Sequence, residues 1–315
     1  MFDTIACYTL ISLENQLFTG KNGWKRKKGK YFSFFKNYND IRIWYYPLSA
    51  QLRVEFSIPK IMYGSNARLY NPQHFSRLIE LINFHLNRVL QTSFINFEEF
   101  IVTRIDVAFH YKINTTKDFQ TYIETIKKLY IPYTKKQKYD TGNRFYNKSK
   151  NLTLYSKEEE IIYRISKNRN FNQEDVKMIT NMKNIMRFEI QMKKGALKYK
   201  FKENRTVSDI VKPEIAENII NDFLNRSGLR YEMLEKSVLL NKIQTSFSPR
   251  YANNVVPFIL DLNEKGMEYV KMKYPKTTIY RYLTKLKEIN LNAIYFTEKV
   301  SHTINFSQDI LIVDE

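Results

Sequence analysis

The sequence is poor in the residues that build covalent or soft-metal scaffolds. A single cysteine, Cys7, excludes an internal disulfide framework and Cys-based zinc sites. No run of about 18 apolar residues is present to span a bilayer, and no basic amphipathic helix or lipidation signal stands out. Asp3 stands in the opening MFDTIACYTLISLENQ where a secretory signal would carry positive charge, so this segment reads as a first strand. Fixed-period repeats and low-complexity tracts are also missing. A cytoplasmic location without a membrane partner is the expectation.

Positive charge is what the chain has in excess. Lys plus Arg number 51 against 32 for Asp plus Glu, a formal net charge of +19 and a pI near 9.6, which favours a polyanionic partner and nucleic acid first. A length of 315 residues suits one large or two modest domains. Up to about residue 200, runs rich in Ile, Val, Phe and Tyr alternate with helical stretches at 75–90 and 117–130. After the lysine-rich GALKYKFKENRTVSD the pattern is mainly helical, as in PEIAENIINDFLNRSG, where Pro213 starts a helix and Gly228 stops it. The expected fold class is α+β, an antiparallel-sheet domain with flanking helices over 1–204 and a mainly helical domain over 205–315. In YPKTTIYRYLTKLKEINLN, Thr277 or Thr278 can cap a helix with the apolar stripe Ile279, Tyr282, Leu283 and Leu286, leaving Arg281, Lys285 and Lys287 outside. With NEKGMEYVKMK before it, the spacing resembles a helix-turn-helix, although an ordinary amphipathic surface helix fits equally well. The basicity of the chain favours DNA, with Arg281 and Lys285 as contacts.

Three strand-like segments share an unusual pattern. In VTRIDVAFH, after Val102 and a break at Thr103, Ile105, Val107 and Phe109 alternate with Arg104, Asp106, Ala108 and His110. LRVEFSI (52–58) and MRFEIQMK (186–193) repeat the order Arg-apolar-acid, with Glu55 and Glu189 as the acids. A polar side that meets water explains one such strand. Three strands of one sheet would gather Glu55, Asp106 and Glu189 on a single surface, where like charges repel more strongly as water is excluded. The interleaved arginines are the structural answer, and a divalent ion is the functional one. Oxygen-only donors suit Mg2+ or Mn2+ and not zinc. His110, on the face of Asp106, is either a further ligand or a strand-end histidine bonded to backbone or water. His74 and His85 fall in a helical stretch and read as surface or packing residues.

The segment NLTLYSK (151–157) places Thr153, Tyr155 and Lys157 opposite Leu152 and Leu154. A phenol with a pKa of about 10 needs a cation to ionise at neutral pH, and a neighbouring ammonium with a carboxylate-held metal would provide it. One outward tyrosine among 23 is ordinarily a packing or interface residue; the combination is what implies phosphoryl transfer to tyrosine. Tyr146, in RFYNKSK, is the second-ranked nucleophile, since the KEEE that begins at Lys157 favours Tyr155. The two tyrosines could also face each other across the turn KSKN.

The segments MFDTIACYTL, FSIPKIMYGSN, TRIDVAFH, RFYNKSKNLTLYSKEEE and MRFEIQMKK, in this order over roughly residues 1 to 200, resemble the rolling-circle replication initiators of filamentous phages and of trans-acting Rep plasmids. TTIYRYLTKL resembles, more loosely, the C-terminal region of the phage proteins. The resemblance implies a metal-dependent, site-specific nicking and rejoining enzyme. Tyr155 would take the 5′ phosphate and leave a 3′ hydroxyl primer, Asp106 and Glu189, with Glu55, would hold the metal, and Lys157 would steady the phenolate or the phosphate. Resealing by reversal requires no external energy source, in keeping with the lack of a Gly-x-x-x-x-Gly-Lys loop. The implied partners are origin DNA, partly single-stranded, and a host helicase and polymerase; a homodimer is compatible. The His-hydrophobe-His metal pair of many such initiators is missing here. A mobilisation relaxase with the same chemistry and a non-catalytic basic DNA-binding regulator are the competing readings. The regulator leaves three aligned acids that only repel phosphate.

Overall fold

The computed structural model describes residues 1–14, 17–28, 32–168, 173–301, 303–306 and 309. The strands are β1 (Phe2–Leu10), β2 (Lys25–Lys27), β3 (Ser33–Tyr38), β4 (Ile41–Tyr46), β5 (Gln51–Ser57), β6 (Ile101–Lys112), β7 (Lys135–Tyr139), β8 (Gly142–Tyr146), β9 (Lys150–Ser156) and β10 (Ile185–Lys193). Apolar and polar residues alternate at period two in β5, β6 and β10, whereas β2 and β7 are polar, exposed edge strands. The strands form one antiparallel sheet in the order β2-β3-β4-β5-β1-β6-β10-β9-β8-β7. The helices are α1 (Ile58–Tyr63), α2 (Phe75–Leu90), α3 (Thr116–Ile126), α4 (Lys157–Asn168), α5 (Gln173–Asn181), α6 (Lys194–Phe201), α7 (Val207–Ile210), α8 (Pro213–Ser227), α9 (Lys236–Ser246), α10 (Pro249–Glu264), α11 (Gly266–Lys273) and α12 (Lys276–Glu288). The chain is thus α+β, with its C-terminal part helical, as the patterning predicts. Among the described residues no helix is long and apolar enough to cross a membrane.

The sheet has an apolar and a polar face. On the apolar face Phe109 of β6 stacks on Phe188 of β10 with centroids 5.1 Å apart, and Phe223 of α8 covers both at 6.3 and 6.1 Å. Each such side chain, fully withdrawn from water, contributes about 1.5–3 kcal/mol. Helix α8 starts at Pro213 and is closed by Gly228 in the left-handed region (φ 79°), the conformation a glycine adopts without a Cβ clash. Helices α9 to α12 enclose a second core around Leu239, Val255, Phe258, Val270 and Leu286.

In α12 the stripe Ile279, Tyr282 and Leu286 is buried, while Arg281 and Lys285 are exposed. The expected threonine cap is not used. The helix begins at Lys276 after Pro275, whose φ of −57° fits a helix entry, so Thr277 and Thr278 lie inside the first turn. Only Tyr274 and Pro275 separate α11 from α12.

Two irregularities in the β1–β6 ladder shape the polar face. The break at Thr103 is a bulge, with Ala6 opposite Arg104 but Cys7 opposite Val102, and the Thr103 hydroxyl donates to Ala6 O at 3.0 Å. A second bulge lies between Phe2 and Ile5.

Candidate active site

The polar face gathers its side chains by register. Asp106 of β6 lies opposite Gln191 of β10, Ala108 opposite Glu189, and His110 opposite Arg187. Arg187 in turn faces Tyr155 of β9, and Glu189 faces Thr153. Paired residues of an antiparallel ladder project to the same side, so Asp106, Glu189 and Tyr155 stand on adjacent strands of one face. The sheet brings in a further acid from β1. Phe2 and Ile5 both pair with the apolar side of β6, at Val107 and Ile105 respectively, so three steps along β1 match two along β6. The extra residue re-aims the chain, and Asp3 arrives beside Asp106.

Among the described residues, Asp3, Asp106 and Glu189 each offer a carboxylate oxygen within 4.8 Å of the others. Asp106 is fully buried (0% exposed). Two arginines brace the group. Arg187 donates to Asp3 Oδ1 at 2.5 Å, and its Nε lies 3.7 Å from Glu189 Oε2. Arg104 grips Asp106 with both ends of its fork, Nε to Oδ1 at 2.9 Å and Nη2 to Oδ2, and Gln191 donates to Oδ2 at 3.3 Å. The Tyr155 hydroxyl donates to Glu189 Oε2 at 3.3 Å.

The other residues predicted from sequence fall in and around this face. Glu55 shares it, but β1 intervenes between its strand and β6, and three arginines hold it: Arg42 at 2.6 Å, Arg53 at 3.3 Å and Arg104 at 3.2 Å. It stands outside the carboxylate triad, whose third member is Asp3. His110 is buried with Nε2 3.4 Å from Arg187 Nη1 and, among the described residues, Nδ1 without a hydrogen-bond partner; it too lies outside the triad. Lys157 is not the last residue of the strand but the first of α4, because β9 ends at Ser156; it is fully buried, and its Nζ donates to Glu160 Oε2 at 2.7 Å. Tyr146 pairs with Asn151, whereas Tyr155 pairs with Gly142. The two tyrosines therefore share a face but stand about 13 Å apart along the hairpin, at roughly 3.3 Å per residue, and do not face each other across the turn. Arg281 and Lys285 lie on α12, Lys285 paired with Glu288 at 2.6 Å and Arg281 over the Tyr282 ring. His74 accompanies the Tyr63 hydroxyl and His85 packs on Tyr38 and Phe84, as packing residues; His302 lies outside the described residues.

Burial sets the electrostatics. It pushes the Asp106 carboxyl up to about 7 against the pull of Arg104, with the charges of Glu189 and Asp3 adding to the rise. Glu189 is raised as well, by burial and by Asp3, while Arg187 opposes. Burial acts the same way on Asp3, but the Arg187 guanidinium and the Thr4 hydroxyl outweigh it and hold that carboxyl low. The Tyr155 phenol is driven well above its usual value by burial, and Arg187 is the group pulling it down. Lys157 drops to about 8 through burial and the nearby Arg187 charge, and His110 is held neutral for the same two reasons. The cation nearest in effect to the phenol is thus Arg187, not the lysine two residues along the chain.

Tyr155 and Glu189 open onto a groove of about 1120 Å³. Its floor is Thr153, Asn151 and Gln191, one wall is Glu159 and Tyr163 of α4, and Tyr139, Arg144 and Lys138 of the β7–β8 hairpin form the other. Tyr139 and Tyr163 are 41% and 61% exposed. Opposite Tyr155 the strands come so close that a Cβ on Gly142 would sit 1.9 Å from Leu154 O and 2.8 Å from Tyr155 Cα. Gly142→Ala must therefore displace backbone. It is expected to lower stability by about 1–3 kcal/mol, as overpacking does, read by thermal melting.

The arrangement suits transfer of a phosphodiester to a phenol beside a hard cation. No match is found among curated proteins or among solved structures. A phage family described as the N-terminal region of a replication-associated protein matches residues 14–254, well over half of the chain and most of the sheet that carries the site. The chain belongs to that family, as a rolling-circle replication initiator of the filamentous-phage type.

Proposed function

We propose that this initiator nicks one strand of its origin DNA with Tyr155 as the nucleophile. The observation that carries the reading is the 3.3 Å hydrogen bond from the Tyr155 hydroxyl to Glu189, a member of the carboxylate triad, at the floor of an open groove. Glu189, with its proton affinity raised by burial, accepts the phenolic proton; Arg187, directly across the ladder, favours the phenolate. The phenolate oxygen bonds to phosphorus as the bond to the 3′ oxygen breaks. Glu189 returns that proton to the leaving oxygen, which becomes the 3′ hydroxyl primer while Glu189 is again a carboxylate, and the 5′ phosphate stays on Tyr155. Attack by a 3′ hydroxyl reverses every step, so the bond energy is conserved and the strand is rejoined.

Three crowded carboxylates, two of them pushed toward protonation, form the donor set of a hard divalent ion, Mg2+ or Mn2+. Asp3, Asp106 and Glu189 would hold it, and when bound it would supply Lewis-acid polarisation of the scissile phosphate. Arg104 and Arg187 keep the carboxylates converged. Helix α12 would contact the origin duplex through Arg281 and Lys285, a reading supported by the exposure of both side chains.

Supercoiled DNA carrying the origin, incubated with the protein and magnesium, is expected to yield open circles with protein on the 5′ end. The magnesium needed for half-maximal nicking should rise as pH falls from 8 to 6, because Asp106, raised to about 7, must lose its proton before it can coordinate. Nicks with a free 5′ phosphate, or none at all, would defeat the proposal.

A further inference from the structure

The sheet extends well beyond the triad on the side away from the groove, and its polar face there is neither apolar nor acidic. Phe35 of β3 lies opposite Trp44 of β4, and Trp44 opposite Arg53 of β5, so all three project to the side of Glu55, which is the side of the site. The Phe35 and Trp44 rings are 5.2 Å apart and both are partly exposed. Arg53 lies over the Trp44 ring at 5.3 Å and Lys27 over Phe35 at 5.6 Å. Arg42 and Arg53 keep 49% and 41% of their side chains in solvent. Glu55, the acid among them, is neutralised by Arg42, Arg53 and Arg104. Arg104 also grips Asp106, so an unbroken chain of ion pairs runs from this surface into the triad.

Solvent-facing rings on a strand normally find a cover. These stand interleaved with cations, the chemistry that receives a nucleic-acid strand whose bases are unstacked, rings for the base faces and cations for the phosphates. We infer that the Phe35–Trp44 surface, with Arg42, Arg53 and Lys27, is a platform for unpaired bases of the origin strand flanking the nick. The inference rests on the nicking reading for the identity of the strand and deepens it. Five strand spacings separate β4 from β9, about 24 Å at roughly 4.8 Å each. That is the length of about seven nucleotides at the duplex rise of roughly 3.4 Å, and of fewer in a stretched strand. The platform therefore takes bases about four to seven nucleotides from the scissile phosphate, on one side only. It also gives Glu55 a role outside metal binding, as the anchor that orients Arg42 and Arg53.

The test is binding of origin oligonucleotides, which needs no reaction at Tyr155. The double variant Phe35→Leu, Trp44→Leu is expected to bind a single-stranded origin oligonucleotide at least about tenfold more weakly, with fully paired DNA of the same sequence bound within about twofold of wild type. The conservative pair Phe35→Tyr, Trp44→Phe, which keeps both rings, should restore single-strand binding to within about threefold, and it decides the matter should the leucine pair fail to fold. Photo-crosslinking with iodouracil stepped outward from the nick should join Trp44 or Phe35 four to seven nucleotides away on one side. Unchanged single-strand binding, equal weakening toward duplex, or crosslinks to this surface from both sides would overturn the platform. Ring-dependent binding without any protein–DNA adduct would leave the platform standing and remove the nicking reading; adduct formation with ring-independent binding would do the reverse.

Discussion

Replacing Tyr155 by phenylalanine is expected to abolish the covalent protein–DNA adduct, with nicking reduced by about 10⁴-fold or more, since the attacking atom itself is lost. Binding of origin DNA should stay within a few-fold. The fold should survive, because the substitution removes one hydroxyl that donates to Glu189, a loss of about 1 kcal/mol for a single hydrogen bond. Tyr146→Phe is the matched control. Tyr146 shares the face but pairs with Asn151, four residues from Tyr155 along β9, and an arginine, Arg144, lies over its ring. The Tyr146→Phe protein is expected to form adduct at close to the wild-type rate. Mapping the adduct by mass spectrometry settles the assignment: a peptide carrying phosphotyrosine at 146, or adduct persisting in the Tyr155→Phe protein, would transfer the role to Tyr146.

Sequence periodicity located most of this face and missed Asp3, one of its three clustered acids. Strands β5, β6 and β10 obey period two, so Glu55, Asp106 and Glu189 could be assigned to one side from the residues alone, and Tyr155 likewise from Leu152 and Leu154 on the other. Periodicity fails where the ladder is irregular. The bulge between Phe2 and Ile5 makes two apolar residues three apart face the same way, and no local pattern in FDTI distinguishes that from an ordinary strand. Asp3 therefore reads only as a charge that a secretory signal would not carry, in a first strand, although the structure places it with Asp106 and Glu189. Lys157 reads as part of the strand, but KEEE is rich in helix formers with acids suited to a first turn, and the backbone turns into α4 at that residue; its buried ammonium still acts on Asp3 and Glu189. Arg187 was visible as an interleaved arginine, but its position opposite Tyr155 depends on the β9–β10 register, a long-range fact. Strands β2 to β4 were not singled out at all, their aromatics being indistinguishable from core until the pairing fixed which side they face.

The choice between Asp3 and Glu55 as the third carboxylate has the second large effect. Asp3→Asn is expected to cut adduct formation by about 10²-fold or more, the loss of several kcal/mol of charge stabilisation at the phosphate at roughly 1.4 kcal/mol per tenfold. Excess magnesium should recover part of it, as it cannot for Tyr155→Phe. Glu55→Gln should leave the magnesium requirement unchanged and cost less than about tenfold in adduct formation, because Glu55 stands outside the triad, held by Arg42, Arg53 and Arg104. Stability needs its own control. Asp3→Asn leaves the buried Arg187 without its closest anionic partner, and breaking a buried pair costs about 3–5 kcal/mol, so the loss of activity could come from a loosened sheet. Asp106→Asn separates the two. Burial already pushes that carboxyl up to about 7, so a neutral amide relieves desolvation, which offsets the Arg104 hydrogen bond that the amide nitrogen cannot accept, and the melting temperature should fall less than for Asp3→Asn while the magnesium requirement rises as it does there. A raised requirement in Glu55→Gln with none in Asp3→Asn or Asp106→Asn would return the ion to the arginine-bound acid and dismantle the triad.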